Sequence, residues 1–153
     1  MTFDQVTILM AQLGPVLNPL AIEASEETKS WGIALEEDLM VLAQFDEEKG
    51  CLVLSTELGA PTPGDRTALY ELLLQANYHW ERTGGVRLAI NGPGGEVFQV
   101  FEIPVDGSDV TRLRAIVAAY ADSARAWREI IQGAAPAPAP TSEDLPVNPG
   151  LRI

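Results

Sequence analysis

Apolar positions along this chain change their period several times, and each change marks an element. Near the start, Phe3, Val6, Met10, Leu13 and Leu17 recur in steps of three and four. That spacing predicts an amphipathic helix from Thr2 or Phe3 to about Leu13. Gly14-Pro15 marks its weakening or end, Asn18-Pro19 opens a loop, and Glu23 to Lys29 is polar. The period then falls to two. Trp31, Ile33 and Leu35 alternate with small or polar residues, and Leu39 to Phe45 and Cys51 to Leu58 are nearly continuous apolar runs. Acidic turns, Glu36-Glu37-Asp38 and Asp46 to Gly50, join these three strands. Joints this short make an antiparallel meander, because a parallel crossover needs about a dozen residues or more.

Helical spacing returns after the Gly59–Gly64 loop and runs from Asp65, a suitable N-cap, to Arg82. Leu69, Leu72, Leu73, Ala76 and Trp80 form one stripe, while Tyr70, Leu74 and Tyr78 form a second around the side. A surface helix ordinarily carries one stripe. Two stripes describe either an unusually buried core helix or a helix that packs on its own sheet and on a second subunit. The second reading predicts a homodimer with Tyr70, Leu74, Tyr78 and Trp80 at the interface.

Thr83-Gly84-Gly85 stops the helix. Val86, Leu88 and Ile90, the turn Asn91 to Gly95, and Glu96 to Val105 then read as a β-hairpin. A last helix spans about Asp109 to Ile131. Its seam of Val110, Leu113, Val117, Tyr120, Ala124, Trp127 and Ile131 suits packing on the protein's own sheet rather than a coiled coil. The expected fold is therefore α+β: helix, three-stranded antiparallel meander, helix, β-hairpin, helix, within a domain of residues 1–132. Residues 133–153 hold five prolines and few apolar side chains. They are expected to form a Pro/Ala-rich disordered tail, dispensable for folding.

Charge narrows the function. The 153 residues carry a formal charge of −12, which argues against nucleic acid and anionic membrane surfaces and favours basic partners. The start of the chain has no basic region of the kind a signal peptide needs, and no apolar run approaches a membrane span. The expected location is a bacterial-type cytoplasm. Cys51, the sole cysteine, sits in a strand and is expected to act as a small hydrophobe. His79 is the sole histidine and lies beside Trp80. A lone His without a Cys or carboxylate cluster makes a poor transition-metal site. The acidic turns lack EF-hand spacing, and the glycines of Asn91 to Gly95 join two strands instead of feeding a helix as a phosphate loop does. No catalytic constellation, metal or cofactor is expected.

What remains is apolar surface. On the fifth predicted strand Val97, Phe101, Ile103 and Val105 share one face, with Phe98 and Val100 opposite. On the second, Leu39, Val41, Ala43 and Phe45 share a face, with Met40 and Leu42 opposite. If three helices leave part of a five-stranded sheet uncovered, the bare residues form a groove for another chain.

This order of elements in an acidic chain resembles the class I type III secretion chaperones of the Tir chaperone (CesT) family. Leu69-Tyr70-Glu71-Leu72-Leu73-Leu74-Gln75-Ala76-Asn77 is similar to that family's helix, Thr83-Gly84-Gly85-Val86-Arg87-Leu88 to its exit into the fourth strand, and Trp127 to its aromatic residue near the end of the last helix. The likeness covers about residues 3–131. It implies a homodimer without enzymatic activity or cofactor that binds a non-globular N-terminal segment of a secreted effector in extended form. The secretion ATPase is a further candidate partner. On this reading the groove candidates are Phe3, Val6, Met10 and Leu13 on the first helix and Leu35, Met40, Leu42 and Phe98 on the sheet. The alternative is a regulatory or assembly adaptor of the same fold that binds a folded partner.

Overall fold

The computed structural model describes residues 1–17, 19–62, 64 and 66–133. The expected N-cap at Asp65 and the expected tail beyond Gly133 lie outside them. The elements are α1 (Phe3–Leu17), β1 (Ala21–Ser25), β2 (Ser30–Leu35), β3 (Leu39–Asp46), β4 (Cys51–Gly59), α2 (Arg66–Tyr78), α3 (Trp80–Thr83), β5 (Arg87–Ile90), β6 (Val97–Pro104) and α4 (Val110–Ile131). The strands form one sheet in the order β1-β2-β3-β4-β6-β5. The chain divides into two compact units, and β4, β6 and α4 each contribute residues to both.

The first unit comprises Met1–Thr56 and Phe101–Ala118. Here α1 turns Val6, Leu9, Met10 and Leu13 inward, β3 buries Leu39, Val41, Ala43 and Phe45 by strict alternation, and β2 buries Trp31, Ile33 and Leu35 together with Ser30. Such a period-two pattern puts one face of a strand on the core and the other away from it. The helix runs past Gly14-Pro15 to Leu17 instead of ending near Leu13. Proline removes an N–H, so the carbonyl of Ala11 loses its helical donor. Both residues are exposed, and that carbonyl lies within the last turns of the helix.

One strand is additional to the expected meander. Ala21–Ser25, read from sequence as loop and polar stretch, pairs antiparallel with β2 through Ala21↔Ala34, Ile22↔Ile33, Glu23↔Gly32, Ala24↔Trp31 and Ser25↔Ser30. Within this strand only Ile22 is even half-buried. An edge strand held by backbone pairing needs little apolar alternation, so its sequence signal is faint. Glu37 and Asp38, in the β2–β3 turn, take left-handed backbone angles with φ of 62° and 53°, a conformation unfavourable for residues bearing a Cβ.

The second unit comprises Glu57–Val100 and, among the described residues, 119–133. The expected single helix to Arg82 is two helices, because the backbone turns at His79 (φ −87°, ψ 45°) and Gly84 then ends α3 in the left-handed region. As a result Trp80 leaves the stripe of Leu72, Leu73 and Ala76 and is exposed. The predicted seam of α4 is buried in this unit through Tyr120, Ala124, Trp127 and Ile131. Gln99 stands among these apolar residues, and both polar atoms of its side chain have partners. Its amide donates to the Tyr120 carbonyl (3.0 Å), its carbonyl side chain accepts from Ser123 (3.0 Å), and its backbone carbonyl accepts from the Tyr120 hydroxyl (2.7 Å). Buried polar groups persist when paired in this way.

Asn77 closes the far edge of the sheet. Its side-chain oxygen accepts from the Leu88 N–H (2.9 Å), and its amide donates to the Leu88 carbonyl (3.0 Å). A single side chain thus takes the place of a neighbouring strand at the middle of β5. Replacing Asn77 by Ala strands two part-buried backbone groups. We expect a loss of about 1–3 kcal/mol, read from the urea midpoint. An unchanged midpoint would show that water replaces Asn77 at no cost.

Candidate functional site

The opposite edge strand, β1, has no such cover from a side chain among the described residues. An antiparallel pair uses the hydrogen-bonding groups of alternate residues and leaves those between them pointing outward. Beside this edge lies a groove of about 460 Å³. Ala11 and Gly14 of α1 form one wall, Ile22 and Ala24 of β1 the other, and Met10 and Trp31 also line it. Small residues at the walls hold the cleft open. Gly14 and Ile22 mark its narrow side, where a Cβ added to Gly14 would stand 3.7 Å from the Ile22 Cδ1.

The groove candidates read from sequence fall into four sets. Val6, Met10, Leu13 and Leu35 are buried and belong to the core, although Met10 also lines the cleft. Phe3 is half-buried in an aromatic cluster, with ring centroids 5.6 Å from Trp31 and 6.5 Å from Phe45 and the Lys29 ammonium 5.9 Å above its ring. Lys29 is in turn ion-paired with Glu47. Met40 and Leu42 are open, at 54% and 42% exposure. They share the sheet face of Gly32 and Ala34, which are their neighbours through Gly32↔Leu42 and Ala34↔Met40. Phe98, in the second unit, is half-buried on β6 opposite Ala89. Sequence reasoning missed Ala11, Gly14, Ile22 and Ala24, because the cleft is made by small side chains and by a strand with no strong pattern.

The second unit carries another apolar surface. Leu74, Tyr78 and Trp80 are exposed at 69%, 80% and 61%, and Ile90 at the end of β5 is also exposed. Tyr70 is half-buried, and its enclosed hydroxyl has no hydrogen-bond partner among the described residues. His79 is half-buried at the joint between α2 and α3, with its ring edge-on to Tyr78 at 5.1 Å.

Polar chemistry is sparse by comparison. Among the described residues no three His, Cys, Asp or Glu side chains gather as metal ligands, and no helix is long and apolar enough to cross a membrane. Cys51 is buried in β4. Glu96, in the β5–β6 turn, is held below the usual carboxylate range by a backbone hydrogen bond and by the Asn91 amide. Any contribution it makes to stability is present above the unfolded pKa and fades as pH falls through the lowered one.

The fold is shared with solved structures. It is similar to a chain of the ExsC–ExsE complex, at 18% identity and a TM-score of 0.72, over 87% of this chain and 98% of that one. A chain of the HopA1–SchA chaperone–effector complex is similar at 16% identity and a TM-score of 0.63, over 81% of this chain and 93% of that one. No curated protein matches the sequence. The model of the Tir chaperone protein (CesT) family matches residues 20–128, and the chain belongs to that family. The resemblance read from the segment around Leu69–Asn77 is thereby confirmed.

The two faces of β3 predict opposite responses to charge. Met40→Glu with Leu42→Glu should shift stability by no more than about 0.5 kcal/mol per site. Val41→Glu, which places a carboxylate in the core, should unfold the protein. Equal losses in a denaturation series would contradict this assignment of faces.

Proposed function

We propose that this protein is a cytoplasmic type III secretion chaperone that acts as a homodimer. It holds an extended segment near the N-terminus of an effector and keeps that segment soluble and ready for export. The observation that carries this reading is the open backbone edge of β1 beside an apolar groove. Edge pairing supplies affinity that tolerates many sequences, while a groove accepts side chains from alternate positions. The pairing of chaperone and effector in the HopA1–SchA complex supports the same reading. Met40 and Leu42 extend the contact on the other face of the sheet, and methionine adapts to varied neighbours. An ordered segment loses conformational entropy, so a tight contact has to be long. The secretion ATPase would receive the loaded complex.

The dimer is built on Leu74, Tyr78 and Trp80, with Tyr70 at its border. Burial of each large side chain contributes about 1.5–3 kcal/mol, and a two-fold interface uses each residue twice. Light scattering of the wild type should give a dimer mass at micromolar concentration, and Leu74→Asp should give a monomer. A dimer that survives this substitution would move the interface elsewhere.

The binding test is pull-down of effector fragments by the wild type and by Met40→Glu with Leu42→Glu. We expect isolated N-terminal fragments to bind the wild type and to be lost or weakened with the variant. Equal capture by a folded, dimeric variant would remove Met40 and Leu42 from the site. Capture of intact folded partners alone would replace the chaperone reading with that of an adaptor.

A further inference from the structure

The register of β1 has a consequence for client chemistry that rests on the chaperone reading. Ile22 and Ala24 lie on the groove face of the strand, where their partners on β2 are the buried Ile33 and Trp31. Glu23 lies between them and therefore projects from the opposite face. Its partner on β2 is Gly32, which has no side chain, so nothing on that strand crowds the carboxylate. Glu23 is exposed and forms no ion pair among the described residues. Glu26 and Glu27 follow in the next turn and are exposed as well. The lysines of this unit are engaged elsewhere, Lys29 with Glu47 and Lys49 with Asp46.

We propose that Glu23 selects client segments in which a Lys or Arg stands between two apolar residues. A strand laid along β1 alternates its side chains in step with those of β1. The residue opposite Glu23 emerges on the face of Glu23, with its Cβ about 4.5–5.5 Å away, within reach of a cross-strand ion pair. The residues before and after it emerge on the other face, over the cleft beside Ile22 and Ala24. The cleft takes the two apolar side chains and the carboxylate takes the cation. A carboxylate at the central client position would meet Glu23 and the turn of Glu26 and Glu27 with like charge. Lys should be preferred over Glu there by about tenfold, the span between a favourable and an unfavourable cross-strand pair near the surface.

The test uses the full chain and three labelled peptides that are identical except at their centres, which read Val-Lys-Leu, Val-Gln-Leu and Val-Glu-Leu. Fluorescence polarisation should rank them in that order for the wild type, with the ranking compressed at high salt. Glu23→Gln should flatten the ranking, and Glu23→Lys should invert it. Circular dichroism confirms that each variant is folded, and the Gln variant serves if the Lys variant is not. Three equal affinities for the wild type, or a ranking unchanged in both variants, would overturn the role of Glu23 and leave the chaperone reading intact. If an effector N-terminal fragment binds but none of the peptides does, the client does not pair along β1 and the proposal fails alone. If fragment and peptides both fail to bind, the chaperone reading fails with it.

Discussion

Backbone N–H and C=O groups at the edge of a sheet have no partner strand, and each edge of a folded sheet has to be dealt with. The two ends of this sheet differ in how they do so. At β5 the chain uses one of its own side chains, with Asn77 bonded to both the donor and the acceptor of Leu88. At β1 the strand is short, carries Glu23 and is flanked by an acidic turn. Charge and brevity are devices by which edges avoid indiscriminate pairing. The same features leave β1 accessible to a strand of suitable charge. Much of the functional account follows from this difference: one end closed by the chain itself, the other open beside a groove.

Apolar surface follows a similar division within each unit. In the first, α1 covers the face of Trp31, Ile33, Val41 and Phe45, while Met40 and Leu42 stay open on the other face. In the second, α2 buries Leu72, Leu73 and Ala76 and leaves Leu74 and Tyr78 exposed. Exposed side chains this large, set on regular elements, suit association better than catalysis, and the family to which the chain belongs is one of chaperones.

Sequence patterning carried the strongly periodic elements. The alternation of Leu39 to Phe45 gave β3 its faces, and the seam from Leu113 to Ile131 gave α4 its buried stripe, because burial itself imposes those periods. It was weaker where backbone geometry or small residues decide the outcome. β1 reads as loop in the sequence because edge pairing asks little of side chains. Helical spacing puts Trp80 on the core stripe of the preceding helix, since nothing in Tyr78-His79-Trp80 announces the turn at His79. The cleft went unseen because Ala11, Gly14 and Ala24 matter for the space they leave. Of the residues named from sequence for the groove, Val6, Met10, Leu13 and Leu35 are core residues, since helical and strand periodicity identify a buried face far better than a binding face. Leu74, Tyr78, Met40 and Leu42 are exposed, and each departs from the single-stripe or single-face pattern of its element.

Amide hydrogen exchange on the free protein and on its complex with an effector N-terminal fragment tests whether β1 receives the client. Outward-facing amides within Ala21–Ser25 should exchange fast in the free protein and become protected in the complex. The Leu88 amide, already bonded to Asn77, should be slow in both. Unchanged exchange across Ala21–Ser25, with protection elsewhere showing that the fragment is bound, would contradict the claim that β1 is the edge that receives the client.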